Sequence, residues 1–465
     1  MTTRYAHPML LLGLTLPTML VGCQTYQPRQ LKPSEHIEAW LARSVENTSL
    51  LAFIESLDEH TPHSSFNTSD GVDLHEAERV ALFYNPDLRL ARLQAGVDAA
   101  DAEHAGLWDN PILDLDALRL TDDGNDPWIV GGSLSFTIPI SGRLHAERQR
   151  ADANARAALS RVAEAEWNTR IELRHSWHEW SAAHLRAQRT RALLESITTL
   201  AQSMAKLAEA GEIPATQAVL FEIERVSRQQ TLSRHTANAM LAQQRLMALM
   251  GLSPDMDITL TPSITPDHSE QQPEIDRIIE QHPKLIRLRD EYAVSEAALL
   301  REIRAQYPDL TIGPAYESDR SDSRIGLVAG IPLPILNSNK QGIARARAER
   351  ELARGAYETT LETHLSTLST AQDLAEISRL LRIELETTLA PLVDKQLQDA
   401  QQLLELGESD ALVLLESLRH AGLTADELID ARLQEARAIT ELESHIGPST
   451  DDTPSDEPAT SEVHE

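Results

Sequence analysis

The chain has 465 residues, enough for two or three ordinary domains or for one elongated, duplicated body. With 72 acidic against 42 basic residues its net charge is −30, a field that repels nucleic acid and anionic lipid and attracts cations. Aromatics make up 4%, which suits long, closely packed helices better than a bulky core. Cys23 is the one cysteine, which excludes an intrachain disulfide and a cysteine metal cluster.

In chain order, Arg4 gives a basic start, Met9 to Leu20 is an apolar run, and small residues follow. That is the layout of a secretory signal over residues 1–22, too short to span a membrane. Residues 23–72 read as an anchor, a tether with Pro28 and Pro33, and an amphipathic helix over 35–58 carrying Ile37, Leu41, Val45 and Leu51. The first of two repeats, 73–251, opens with one helix predicted over 75–108 and stopped before Asn110-Pro111. Two strands follow, near 112–120 and 129–138, across the turn Asp122-Asp123-Gly124-Asn125. From Arg143 to Ala208 there is neither proline nor glycine, which predicts a helix of roughly 66 residues and about 100 Å. Ala151, Ala155, Ala158, Val162 and Ala165 give it a coiled-coil seam of small residues. Gly211 and Pro214 break it, and a return helix over 215–249 ends at Gly251.

After a linker, 252–272, the same order returns over 273–447 at an offset of roughly 196 residues. Asn85-Pro86-Asp87-Leu88 reappears as His282-Pro283-Lys284-Leu285, Ala210-Gly211-Glu212 as Leu406-Gly407-Glu408, and Met250-Gly251 as Ile446-Gly447. The second copy is predicted as a helix over 275–306, strands at 309–316 and 324–332, a long helix over 340–405 bent by Pro391, and a return helix over 411–445. In each copy the two flanking helices together match the long one in length, so they stack end to end as its antiparallel partner. Residues 448–465 have the Ser, Thr, Pro, Asp and Glu composition of a disordered acidic tail.

Val130, Leu134, Phe136 and Ile138 alternate with Ser133, Ser135 and Thr137, and Ile325, Leu327, Ala329 and Ile331 alternate with Arg324 and Gly326. The apolar sets suit lipid, and nine or ten residues is the length of a strand crossing a bilayer in a β-barrel. Four strands cannot close a barrel, so several chains must contribute. The soluble alternative is a sheet capping the rod.

The paired helix starts, strand pairs ending at Pro139-Ile140 and Pro334-Ile335, and glycine turns resemble the TolC-like outer-membrane efflux proteins over about 75–447. Gly330 to Ile335 and Gly211 to Pro214 look closest to the heavy-metal branch of that family. The resemblance implies a mainly α fold with a small β part: antiparallel coiled-coil helices forming an α-barrel, and four strands per chain in a trimeric transmembrane β-barrel. It implies an exit duct of a tripartite efflux pump in the outer membrane of a Gram-negative bacterium, fed by a periplasmic membrane-fusion adaptor and an inner-membrane transporter of the RND type. Leu20-Val21-Gly22-Cys23 resembles the bacterial lipoprotein box, so Cys23 would carry a covalent lipid, the one cofactor expected, and Gln24 resembles the residue that permits outer-membrane sorting. By position, Gly211, Glu212, Ile213, Gly407, Glu408 and Ser409 are the adaptor-docking tips, and Gln217, Asp410, Val413 and Glu416 the candidate gate. Other members often carry an acid where this chain has Gln217 and Val413, and Glu416 has the bland reading of a solvated carboxylate.

No catalytic constellation is present: no His-Glu-x-x-His, phosphate loop or Gly-x-Ser-x-Gly elbow. Glu172-Leu173-Arg174-His175 has the spacing of carboxylate-bridged metal bundles but occurs once, beside Trp177 and Trp180. The chain is therefore read as neither enzyme nor metal protein. The alternatives are the exit duct of a type I protein secretion system and, from another class, a periplasmic coiled-coil scaffold lipoprotein without a pore.

Overall fold

A computed structural model describes residues 25–58, 66–119, 121, 128–265, 275–319, 322–406 and 411–448. The signal segment, Cys23, Gln24, the 122–125 turn, Gly407, Glu408, Ser409, Asp410 and the tail beyond Pro448 lie outside the described residues. The chain divides into two compact units, Met1–Arg43 and Ser44–Glu465. The described part of the first holds α1, Pro33–Leu41, with no buried residue. The second begins with a turn and α2, Thr48–Asp58, so the expected single helix over 35–58 is two. The reason is local: Ser44 Oγ accepts from Glu46 N at 3.1 Å and Asn47 Oδ1 from Ser49 N at 2.8 Å, side chains that draw the backbone out of helix and then cap a new one.

The predicted helix over 75–108 is likewise two, α3 (Leu74–Tyr84) and α4 (Pro86–Glu103). Proline pushes the residue before it out of the helical region, and Asn85, at φ −56° and ψ 128°, caps α4 by accepting from Asp87 N at 2.9 Å and Leu88 N at 3.1 Å. After β1 (Ile112–Arg119) and β2 (Trp128–Ile138) comes α5, Arg143–Glu209, an unbroken 67-residue helix, and then α6, Ala215–Leu249. The helix predicted over 275–306 splits in the same way at His282-Pro283, into α7 (Ile275–Gln281) and α8 (Pro283–Arg304). β3 (Leu310–Asp319), β4 (Asp322–Gly330), α9 (Lys340–Glu384), one π-helical turn (Leu385–Leu389), α10 (Ala390–Glu405) and α11 (Ala411–Ile446) complete the copy. Pro391 lacks an N–H and its ring crowds the preceding turn. The long helix absorbs this by widening: Ala390 N bonds to Leu385 O, five residues back.

α5 is the spine, lying against α4, α6, α8 and α11. Of its expected seam, Ala151 and Ala158 are buried and Ala155, Val162 and Ala165 half-buried, while Ala153 and Ala157 are buried too, because neighbours approach from both sides. The largest apolar core collects Leu50 and Ile54 of α2, Val80 of α3, Leu173, Trp177 and Trp180 of α5, and Leu246, Met247 and Met250 at the end of α6. At that level the flanking helices meet end to end. Asn85 Nδ2 donates to Leu249 O at 2.9 Å, and Gly251, at φ +69°, lies so close to Tyr84 that an added Cβ would be 2.2 Å from its carbonyl oxygen. Gly251→Ala is therefore expected to cost more than about 2 kcal/mol in urea or thermal unfolding. Gly96→Ala, in α4 with open space around it, should be neutral or stabilise by about 0.5–1 kcal/mol.

Candidate functional site

The two strand pairs form one antiparallel sheet, ordered β1-β2-β3-β4. Leu134 faces Leu113, Phe136 faces Ile312, which faces Ala329, and Tyr316 faces Ile325. Side chains alternate across a strand, so Val130, Leu134, Phe136 and Ile138 share one face with Leu115, Pro314, Ile325 and Leu327, and Ile331 follows just past β4. This face is bare of its own chain: Ile325 is 86% exposed, Leu327 78% and Val130 52%. The opposite face carries Asp114, Asp116, Ser133, Ser135, Thr137, Thr311, Glu317 and Arg324, together with exposed Ile112, Leu118 and Val328. Arg324 pairs with Glu317 at 3.1 Å, and Asp116 lies over Gly131, where a Cβ would be 2.6 Å from its carboxylate. Among the described residues, β1 and β4 each have a neighbour on one side only.

The sheet is tied to the helices at its base. Arg143, the first residue of α5, donates to Asp109 at 3.1 Å and Asp309 at 3.2 Å, and Ser141 Oγ donates to Asp309 at 2.9 Å. At the far end of α5, Gly211 adopts φ +76°, and Glu212 N donates to Leu207 O at 2.9 Å, closing the helix as a left-handed cap. Gly211 and Glu212 are exposed, Gln217 is half-buried, and Ile213 packs on a cluster joining α5, α6, α10 and α11 around Phe221, Met204, Ala400, Leu414 and Leu415. On the second tip, Val413 is exposed on a groove of about 340 Å³ lined also by Leu392, Lys395, Leu403 and Ser417. Glu416 is exposed, 3.4 Å from both Arg419 and His420 on its own helix.

Between the tips lies a buried carboxylate, Glu224 of α6, held by Arg228 at 2.7 Å and by Arg419 of α11 at 2.6 Å. Burial alone would raise its pKa, but hydrogen bonds and charge from the two guanidiniums outweigh it and hold the group below its ordinary 4.5. Arg174, in the segment with metal-bundle spacing, pairs instead with Glu78 at 2.5 Å and Glu443 at 2.7 Å. Among the described residues no group of three His, Cys, Asp or Glu is placed to hold a metal ion, and no helix is long and apolar enough to cross a membrane.

No protein-family model matches the sequence. It is 23% identical over 289 residues to the cobalt-zinc-cadmium resistance protein CzcC of Cupriavidus metallidurans, covering 62% of this chain and 69% of that one. Its structure superposes on the outer-membrane channel OprN with a TM-score of 0.67 at 18% identity, over 80% of this chain and 89% of that one. On the Campylobacter jejuni CmeC outer membrane channel the TM-score is 0.67 at 15% identity, over 83% and 89%. The fold is that of the TolC-like outer-membrane channels.

Within this TolC-like fold Val130, Leu134, Phe136, Ile138, Ile325 and Leu327 share one face. Ile331 falls outside β4 because the strand predicted over 324–332 ends at Gly330. Gly211, Glu212 and Ile213 stand at a helical turn, whereas Glu416 turns to its own helix. Sequence reading missed Asp114 and Asp116, although the Leu-Asp-Leu-Asp alternation of β1 was their signal. It also missed Glu224, whose spacing to Arg228 looks like an ordinary surface pair. Glu224→Gln leaves both arginines without their carboxylate, and since Arg419 is partly exposed the expected loss is about 1–3 kcal/mol in thermal unfolding. Because the folded pKa is depressed, this contribution is complete above pH 4.5 and fades as pH falls through the folded value. The Gln variant should lose that part of the acid sensitivity.

Proposed function

We propose that the protein is an exit duct of the outer membrane, built from several copies of this chain and serving a tripartite efflux pump. One observation carries the reading: a sheet with one bare apolar face, an opposite face that carries acids and hydroxyls, and two unpaired edges, mounted on a 67-residue helix about 100 Å long. In hydrocarbon every backbone group needs a partner, so β4 of one copy pairs with β1 of the next until the wall closes. Three copies give the twelve strands that the resemblance implies. The helical edges support the same closure: Leu90, Leu93 and Val97 of α4 are exposed on the sheet side of the waist, and on the tip side Val226, Met240 and Leu241 of α6 and Leu374, Ile377 and Leu381 of α9 are exposed on opposite edges. Cys23 carries the lipid, and the Gly211 turn and the segment at Gly407 dock the adaptor, behind which the inner-membrane transporter supplies the energy. The likeness to a cobalt-zinc-cadmium resistance protein, with Asp114 and Asp116 on the polar face, favours metal cations as cargo.

The full-length protein, extracted as an oligomer and inserted into planar bilayers, should pass current with a preference for cations, and the double change Asp114→Asn and Asp116→Asn should reduce that preference. An oligomer shown to be inserted that passes no current would refute the duct. Cys23→Ser should abolish incorporation of labelled palmitate.

A further inference from the structure

Where α11 ends, three histidine rings from three helices meet. His282 before α8 and His364 of α9 are 3% and 6% exposed, with ring centroids 4.3 Å apart, and His445 of α11 follows at 4.9 Å from His364. His282 Nε2 donates to Ser444 O at 2.9 Å and His364 Nε2 to His445 O at 2.7 Å. These are carbonyls of a last helical turn, which have no partner within the helix. His282 Nδ1 accepts from Lys284 N at 3.3 Å, so this ring must be neutral, with its proton on Nε2, to cap α8 and α11 together. Gly447, at φ +87°, leaves the His282 backbone room to approach.

The first copy makes the same joint without a titratable group. Asn85 caps α4 through Oδ1 and donates through Nδ2 to Leu249 O. An amide therefore satisfies the geometry, and the histidine adds a response to protons. A second proton on Nδ1 removes the acceptor for Lys284 N and sets a cation against the other rings. The surroundings offer it little relief: Lys284 from α8 and the His364 and His445 rings oppose a further positive charge, and Glu441 of α11 lies 3.4 Å from His445.

We propose that the His282–His364 joint is an acid-operated clasp, closed at neutral pH and released by protonation, that frees the end of α11 from α8 and α9. The direction follows from burial first and then from the neighbouring positive and imidazole groups, which push His282 down to about 4 against an ordinary 6.5, and push His364 down as well. Above pH 6.5 neither the closed nor the open joint binds the extra proton and the clasp is at full strength. Below it the open form takes the proton and the closed form does not, so opening rises roughly tenfold per pH unit for each such histidine. The rise levels off near pH 4, where closed His282 also titrates.

Hydrogen exchange of the full chain, corrected for intrinsic rates, tests this in peptides covering 440–447 and 283–290. Between pH 7 and pH 5 the wild type should lose at least tenfold protection there. His282→Asn, which copies the first repeat, should match wild type within about twofold at pH 7 and lose about half of the logarithmic pH slope; His364→Gln, which keeps an N–H at the Nε2 position, should reduce it likewise. The proposal is overturned if wild-type protection is flat over this range, or if both variants fold and keep the wild-type slope. It stands apart from the duct reading, since a scaffold without a pore would carry the same clasp.

Discussion

A helix of 67 residues has far more surface than its own hydrogen bonds can organise, and α5 is ordered because small and apolar side chains let neighbours close on it from both sides. Ala151, Ala153, Ala157 and Ala158 admit close helix contact near the sheet, Trp177 and Trp180 fill the middle, and Ile197, Leu200 and Met204 hold the tip. The rest of the unit depends on this spine. Its first residue, Arg143, grips the entries of β1 and β3, and its last turn meets the Phe221 cluster through which the two tips touch.

The duplicated halves are alike in order and different in stiffness. α5 runs unbroken, whereas its counterpart carries the π turn before Pro391. Charges bracket that turn: Glu386 within it accepts from Arg382 at 2.5 Å and Arg432 at 2.8 Å, and Arg382 also reaches Glu435 at 3.2 Å. The weaker backbone of the second copy is thus held from outside by α11. The waist joints show the same division, an amide at Asn85 against imidazoles at His282 and His364. Equal topology with unequal chemistry means the two hairpins do not respond alike to acid or salt.

Much of the fold was readable because glycine, proline and long polar-apolar periods act locally. The limits of α5, α6 and α11, both strand pairs and the Gly211 turn all follow from residues within one or two turns. Readings failed where a local period hid a break or where partners lay far apart. Pro86 and Pro283 interrupt segments whose helical period continues on both sides, and each break is completed by a distant carbonyl, Leu249 O standing 164 residues from Asn85. The Glu224–Arg419 tie joins residues 195 apart, and the junction of β2 with β3 that makes one sheet of two pairs also spans the copies. Of the candidate site, the shared face of the strand residues other than Ile331 was legible, since period two leaves one choice of face. The tie between the tips was not, because an acid and an arginine on separate amphipathic helices carry no sign of each other.

The open edges of the sheet set the final constraint. In water, unpaired edge groups are solvated and an edge strand is tolerable. In hydrocarbon each unpaired group costs several kcal/mol, and β1 and β4 expose whole rows of them. The apolar face of the sheet favours lipid while the edges forbid it, and in the proposed duct pairing with further copies satisfies both. Such pairing joins unlike edges, β4 to β1, so the contact is head-to-tail and must close into a ring. In the proposed assembly the same rotation brings the exposed stripe of α9 towards α6 of the next copy, and the grip of Arg143 on Asp109 and Asp309 keeps strands and helices in step. Closure of the strand wall and closure of the helical wall are then one event rather than two.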